Sequence, residues 1–254
     1  MRLNYALVSS FLFVSVVLAD FHIGRQPEPQ FEKPINGTHV RRDPATYGLW
    51  AGGVKEKYPG TVTLATGTFI VPQPQGDVGS GFVIGVGLDG LTCTTALLAA
   101  GVNVMITNDG FSVIPWGQLL PRIIQWNPDP PNGVRVSTGD KLRVTVQIAP
   151  SSADADAYFW IENITTDRSW SDALTNNPDS PLCRQNAFWV VAAVPGGTTP
   201  LANFGTVAFR DLRMRAPGID VYPRNPSIVN LVRNNQVISS VRVEPSSDII
   251  VTYG

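Results

Sequence analysis

The segment DKLRVTVQIAP, residues 140–150, decides the fold. Leu142, Val144, Val146 and Ile148 fall on one side of an extended chain, and Arg143, Thr145 and Gln147 on the other. Successive strand side chains point to opposite faces, so a period of two makes a strand with one buried and one wetted face. Weaker versions recur in GTVTLATGTFIV (60–71), GFVIGVGL (81–88), AYFWIENIT (157–165), NFGTVAFRDLRM (203–214), NQVISSVRVE (235–244) and DIIVTY (248–253). Turn signals such as NDG (108–110), NPDPPNG (127–133) and VPGG (194–197) separate several of them. No segment beyond the N-terminus has the spacing of a long amphipathic helix, and no strict repeat is visible. The expectation is an all-β chain, a single two-sheet antiparallel β-sandwich.

The N-terminus reads differently. Arg2 precedes an apolar run from Tyr5 to Leu18, which closes on Val17-Leu18-Ala19; residues 1–19 therefore read as a secretory signal peptide. The competing reading, a membrane anchor, is disfavoured by the shortness of the run and by Ser9, Ser10 and Ser15. Residues 20–42 are Pro-rich, charged and aperiodic, and end in the dibasic pair Arg41-Arg42, as a removable propeptide or a polar linker would. Residues 43–254 are left for the folded body, enough for one sizeable core. The chain is expected to be secreted, extracellular and monomeric.

Net charge is −1, with no basic cluster beyond Arg41-Arg42, so nucleic acid is not an expected partner, and no later apolar run calls for a membrane. The only two cysteines, Cys93 and Cys183, most simply form one disulfide in a secreted chain. Asn36 and Asn163 head sequons and are candidate glycan sites.

The residue inventory limits the chemistry. Both histidines, His22 and His39, precede Arg41-Arg42, so a processed body has no imidazole for a Ser-His-Asp triad or a zinc site. No metal and no cofactor is expected. Carboxylates remain, but glutamate after residue 43 is limited to Glu56, Glu162 and Glu244, each in a setting that reads as solvated. Asp89, between Gly87 and Gly90 and four residues before Cys93, is the most interesting aspartate, although its setting is that of a turn.

The blocks LWAGGV (49–54), GTFIVP (67–72), VGLDGLTCTTALLAAGV (86–102), IIQWNPD (123–129), STGDKLRVTV (137–146), IENITT (161–166), CRQNAFWVV (183–191) and FGTVAF (204–209) together resemble the glutamic peptidases of family G1, the eqolisins, secreted acid endopeptidases found mainly in fungi. The resemblance implies a lectin-like (concanavalin A-like) sandwich with a groove across one face, a removable propeptide and a Cys93–Cys183 disulfide. It also implies a glutamate and a glutamine on neighbouring strands that hold the attacking water. The carboxylate would act as general base and acid, and the amide would stabilise the oxyanion.

At those two positions the chain departs from the family. Where the resemblance places the glutamine stands Ala99, in Leu98-Ala99-Ala100-Gly101, and where it places the glutamate stands Phe188, in Asn186-Ala187-Phe188-Trp189. Gln125 replaces a groove glutamate, and Gly85 replaces a tryptophan. A pseudoenzyme is therefore expected, with no catalytic residue and a groove that binds an extended polypeptide or a glycan. Trp50, Trp116 and Trp126 are the candidate groove aromatics, with Asp89 and Gln125; Tyr47 and Trp189 are further rings to test, against the alternative that such rings are core. The competing expectation is an active acid endopeptidase with a relocated dyad of Asp89 and Gln125.

Overall fold

In the computed structural model the described residues are 45–46, 49–57, 60–93, 95–121, 123–128, 132–149, 156–175, 181–195, 198–216 and 220–254. The signal and propeptide segments, Asn36, both histidines and Tyr47 lie outside them.

In chain order the strands are β1 (Ala45–Thr46), β2 (Trp50–Glu56), β3 (Leu64–Ile70), β4 (Gly81–Asp89), β5 (Leu97–Thr107), β6 (Gly110–Leu120), β7 (Ile123–Trp126), β8 (Lys141–Ile148) and β9 (Asp156–Asn163). They continue as β10 (Arg168–Thr175), β11 (Asn186–Ala192), β12 (Thr206–Arg215), β13 (Asp220–Val221), β14 (Ser227–Asn230), β15 (Val232–Arg233), β16 (Gln236–Val237), β17 (Ser239–Val243) and β18 (Ile249–Tyr253). No helix occurs among the described residues. The expected segments all carry strands, but NQVISSVRVE divides between β16 and β17.

Two large sheets form the sandwich. Sheet A runs β1-β14-β2-β11-β4-β5-β6-β7, and sheet B runs β10-β9-β8-β3-β12-β18-β17 with β13 added on β12. Pairing is antiparallel except for the two-residue β1–β14 contact, which is parallel. The strand that announced the fold, β8, buries alternate residues as its sequence requires, and β9 does the same. Between the sheets lie Phe69, Phe82, Phe159, Phe204, Phe209 and Trp189. Trp189 is therefore a core residue rather than a groove ring, and its indole N–H donates to the Thr66 carbonyl at 2.9 Å.

β11 is different: all seven of its residues are buried. One of its faces meets sheet B, and the other is covered from within sheet A. This second covered face holds the site.

The Asn163 sequon is a correction. Asn163 ends β9 on the same face as Ala157, Phe159 and Ile161, and it is buried. Its Nδ2 donates to the Arg135 carbonyl at 2.9 Å and to Asp140 Oδ2 at 2.8 Å, and its Oδ1 accepts from the Thr165 N–H at 3.1 Å. A nitrogen so enclosed and engaged leaves no room for a glycan in the folded chain.

Cys93 and Cys183 form the expected disulfide, closing a sequence separation of 90 residues and tying the loop after β4 to the entry of β11. A loop of that length contributes about 4 kcal/mol by restricting the unfolded chain. The double variant Cys93→Ala/Cys183→Ala is expected to lose about that much in urea unfolding; a loss below about 1 kcal/mol would show that the bridge is not a main staple of the sandwich.

Candidate functional site

Along β2, β4, β5, β6, β7 and β11 every second residue points away from sheet B. Glycines mark the other side: a β-carbon on Gly53 would meet Ile249, and one on Gly117 would meet the Phe159 ring, both from sheet B. The residues that alternate with these open onto a cavity of ≈ 360 Å³. Trp50 comes from β2, Phe188 and Val190 from β11, Leu97 and Ala99 from β5, Trp116 from β6, and Ile124 and Trp126 from β7. Thr198, Thr199 and the stretch Ala193–Pro195 complete the wall.

The floor is set by register. Gly87 pairs with Ala99 on one side and with Phe188 on the other. Ala99 and Phe188 thus share a face but are not on adjacent strands: β4 runs between them, which puts their backbones about 10 Å apart. The space above Gly87 is filled. A β-carbon there would sit 2.2 Å from Cζ of Phe188, so the tip of the benzyl ring occupies the space over the glycine. Trp50 braces that ring from the far side, with centroids 4.9 Å apart and planes tilted by 40°. The Trp116 ring covers Gly85 in the same manner, 3.6 Å from where its β-carbon would be. Trp50 and Trp116 are almost fully buried, whereas Trp126 is 43 % exposed at the rim.

Polar groups in the wall are few. Asn103, Gln118, Thr198 and Thr199 supply them, and among the described residues no Asp, Glu, Lys, Arg or His lines the cavity. Gln118 stands directly beside Ala99 in the ladder. The blocks that carried the family resemblance skip from 102 to 123 and so passed over it, although Trp116 and Gln118 alternate on one face of PWGQLL, residues 115–120. The carboxylate nearest in register is Asp89, two residues along β4 from Gly87 and opposite Leu97; it is buried and outside the lining. Glu56, opposite Asn186 at the end of β2, is exposed and also outside the lining.

Two expected groove residues are elsewhere. Gln125 pairs with Gly117, between Ile124 and Trp126, so its side chain points toward sheet B; its Oε1 is buried there without a hydrogen-bond partner among the described residues. Asp89 is buried at the end of β4, in a left-handed conformation with φ 64°. Its carboxylate accepts the Arg184 N–H at 2.8 Å and the Gln185 N–H at 2.9 Å, which clamps the turn into β11 beside the disulfide. The turn reading of Asp89 thus describes it, and a dyad of Asp89 with Gln125 is not assembled: the two lie three strands apart and turn away from each other.

The sequence profile of the Peptidase A4 family matches residues 48–253. Aspergillopepsin-2 from Aspergillus niger is 29 % identical over 173 residues, covering 66 % of this chain and 57 % of its own length. Scytalidopepsin B from Scytalidium lignicola is 26 % identical over 182 residues, covering 68 % of this chain and 66 % of its own. The chain thus spans less than two thirds of the length of either relative. A crystal structure of scytalido-glutamic peptidase with a peptide-based transition state analog superimposes with a TM-score of 0.69 at 24 % identity, over 82 % of this chain and 98 % of that one. It has the same fold.

Burial pushes the Asp89 carboxyl above its ordinary value of 3.8, against the opposing pull of the Gln185 and Arg184 N–H groups. The folded chain then keeps this proton at pH values where the unfolded chain has released it. Its contribution is complete below the unfolded value and is lost as pH rises through the folded one. A carboxamide accepts through its oxygen alone and turns its NH2 toward the second of the Arg184 and Gln185 N–H groups, so at pH 3 Asp89→Asn is expected to be less stable than the native chain by about 1–3 kcal/mol. From pH 3 to pH 7 the balance should move in the variant's favour. Urea melts at both pH values check this; movement toward the native chain would mean that the N–H clamp outweighs burial.

Proposed function

The chain belongs to the Peptidase A4 family, and from that premise we propose that it is a secreted member which binds an extended polypeptide or a glycan in the sheet A cavity without hydrolysing it. The observation that carries this reading is the wall itself: among the described residues, no ionisable side chain lines the cavity. Hydrolysis by the route the family resemblance implies needs a carboxylate to take a proton from water and an amide to hold the oxyanion. A methyl group at Ala99 and a benzyl group at Phe188 do neither. Loss of the base alone costs about 10²–10⁴-fold, and loss of the oxyanion donor about 10²–10³-fold more. The Phe188 ring also takes up the space over Gly87 that a water between the two positions would need.

Binding is supported by the aromatic walls, Trp50, Trp116 and Trp126, which offer flat apolar surface to a ligand. A relative of the same fold holds a peptide-based analog, which favours a polypeptide as occupant here. Secretion rests on the N-terminal signal pattern together with the disulfide, a bond that persists in oxidising compartments.

Purified protein incubated with denatured casein at pH 3 is expected to release no peptides above the buffer control, while a peptide or glycan array retains it. Because Asp89 and Glu56 are the carboxylates nearest in register to the floor, the Asp89→Asn and Glu56→Gln variants are run alongside. Cleavage that follows the native protein through purification and disappears in either folded variant would make the chain an active acid endopeptidase. Failure to bind either array would remove the binding half of the reading.

A further inference from the structure

We propose that, of an extended polypeptide, the sheet A cavity takes one neutral, flat, largely apolar side chain bearing a hydroxyl or amide group, with that group bonded to the carboxamide of Gln118. The inference rests on taking the cavity as the binding site, and it narrows what the site accepts.

Three features of the wall exclude other ligand classes. A charged ligand would enter without a counter-ion, since no lining residue among those described is ionisable, and an unpaired charge in an apolar site is strongly disfavoured. A glycan buries many hydroxyls, and most of them would face Leu97, Phe188 and Val190, where they lose their water and gain no partner. At ≈ 360 Å³ the cavity is near the small end of the usual range for small-molecule sites, about 300–1,000 Å³.

Gln118 supplies the positive argument. It is 5 % exposed, yet its carboxamide borders the cavity and has no hydrogen-bond partner among the described residues. Such a group holds one acceptor and two donors open in an otherwise apolar wall. Four residues along β5 from Ala99, the Asn103 Oδ1 is buried without a partner among the described residues. A ligand hydroxyl completes the missing bond on Gln118 while its ring packs between Trp116 and Phe188.

The test is calorimetric titration with 2-naphthol, 2-methoxynaphthalene, 2-naphthoate and cellobiose as probes. 2-Naphthol should bind at one site, about fivefold more tightly than its methyl ether, the worth of one net hydrogen bond. Gln118→Leu should keep the methyl ether's affinity and erase that preference, and Ala99→Phe, which fills the cavity, should abolish both. 2-Naphthoate and cellobiose should not bind. Tighter binding of the naphthoate or the sugar overturns the inference, as does a preference for 2-naphthol that survives Gln118→Leu. A peptide-array hit without naphthol binding sinks this inference and leaves the proposed function standing, whereas casein cleavage sinks the function whatever naphthol does.

Discussion

The Phe188 ring lies on the bare backbone of Gly87, and the character of the cavity follows from that contact. The glycine leaves a shallow gap between β11 and β5, the ring fills it, and Trp50 holds the ring in place. A full side chain at position 87 would expel the ring. A carboxylate at position 188 would have to be desolvated against Trp50 and Val54, with no basic group in the lining to pair with it. The apolar character is therefore shared among several positions, and a change at 188 alone would not recreate a wet acidic site.

This contact also explains why the middle of sheet A, β11 above all, is buried on both faces. Its inner face meets sheet B across the phenylalanine core, and its outer face is closed by its own aromatic residues lying over Gly85 and Gly87. Doubly buried antiparallel strands are uncommon unless a ligand site or a second layer covers the outer face. Here the cover is incomplete, and the remaining space is the cavity. Below it, Asp89 and the Cys93–Cys183 bridge fix the turn into β11, so they govern where Phe188 sits without touching the cavity.

Much of this was legible from residue order. β8 and β9 wet one face, so period two declared both their structure and their orientation. The same alternation, followed to its end in β9, would have turned Asn163 inward with Ile161; the sequon motif concealed this because it records chemistry and not facing. In β11 the alternation disappears since both faces are apolar, and the sequence could not tell which of Phe188 and Trp189 faced the cavity. Register, which only pairing supplies, decided it. Register also moved Gln125 to the far face by setting it opposite Gly117, and it brought Gln118 beside Ala99. Family likeness singled out Ala99 and Phe188, which the structure places on the cavity floor, but it could not report a polar group standing where the quoted blocks are silent.

The central claim is that no group in this chain activates water against a peptide carbonyl. Oxygen exchange examines that step even when net turnover is too slow to see: a hydrolytic site incorporates solvent oxygen into the carboxyl group of a bound peptide acid. Held at pH 3 in ¹⁸O-labelled water with an N-acetylated peptide acid, the protein should leave the label at the level of the buffer alone by mass spectrometry. Incorporation that rises in proportion to protein and is suppressed by a competing peptide would contradict the account.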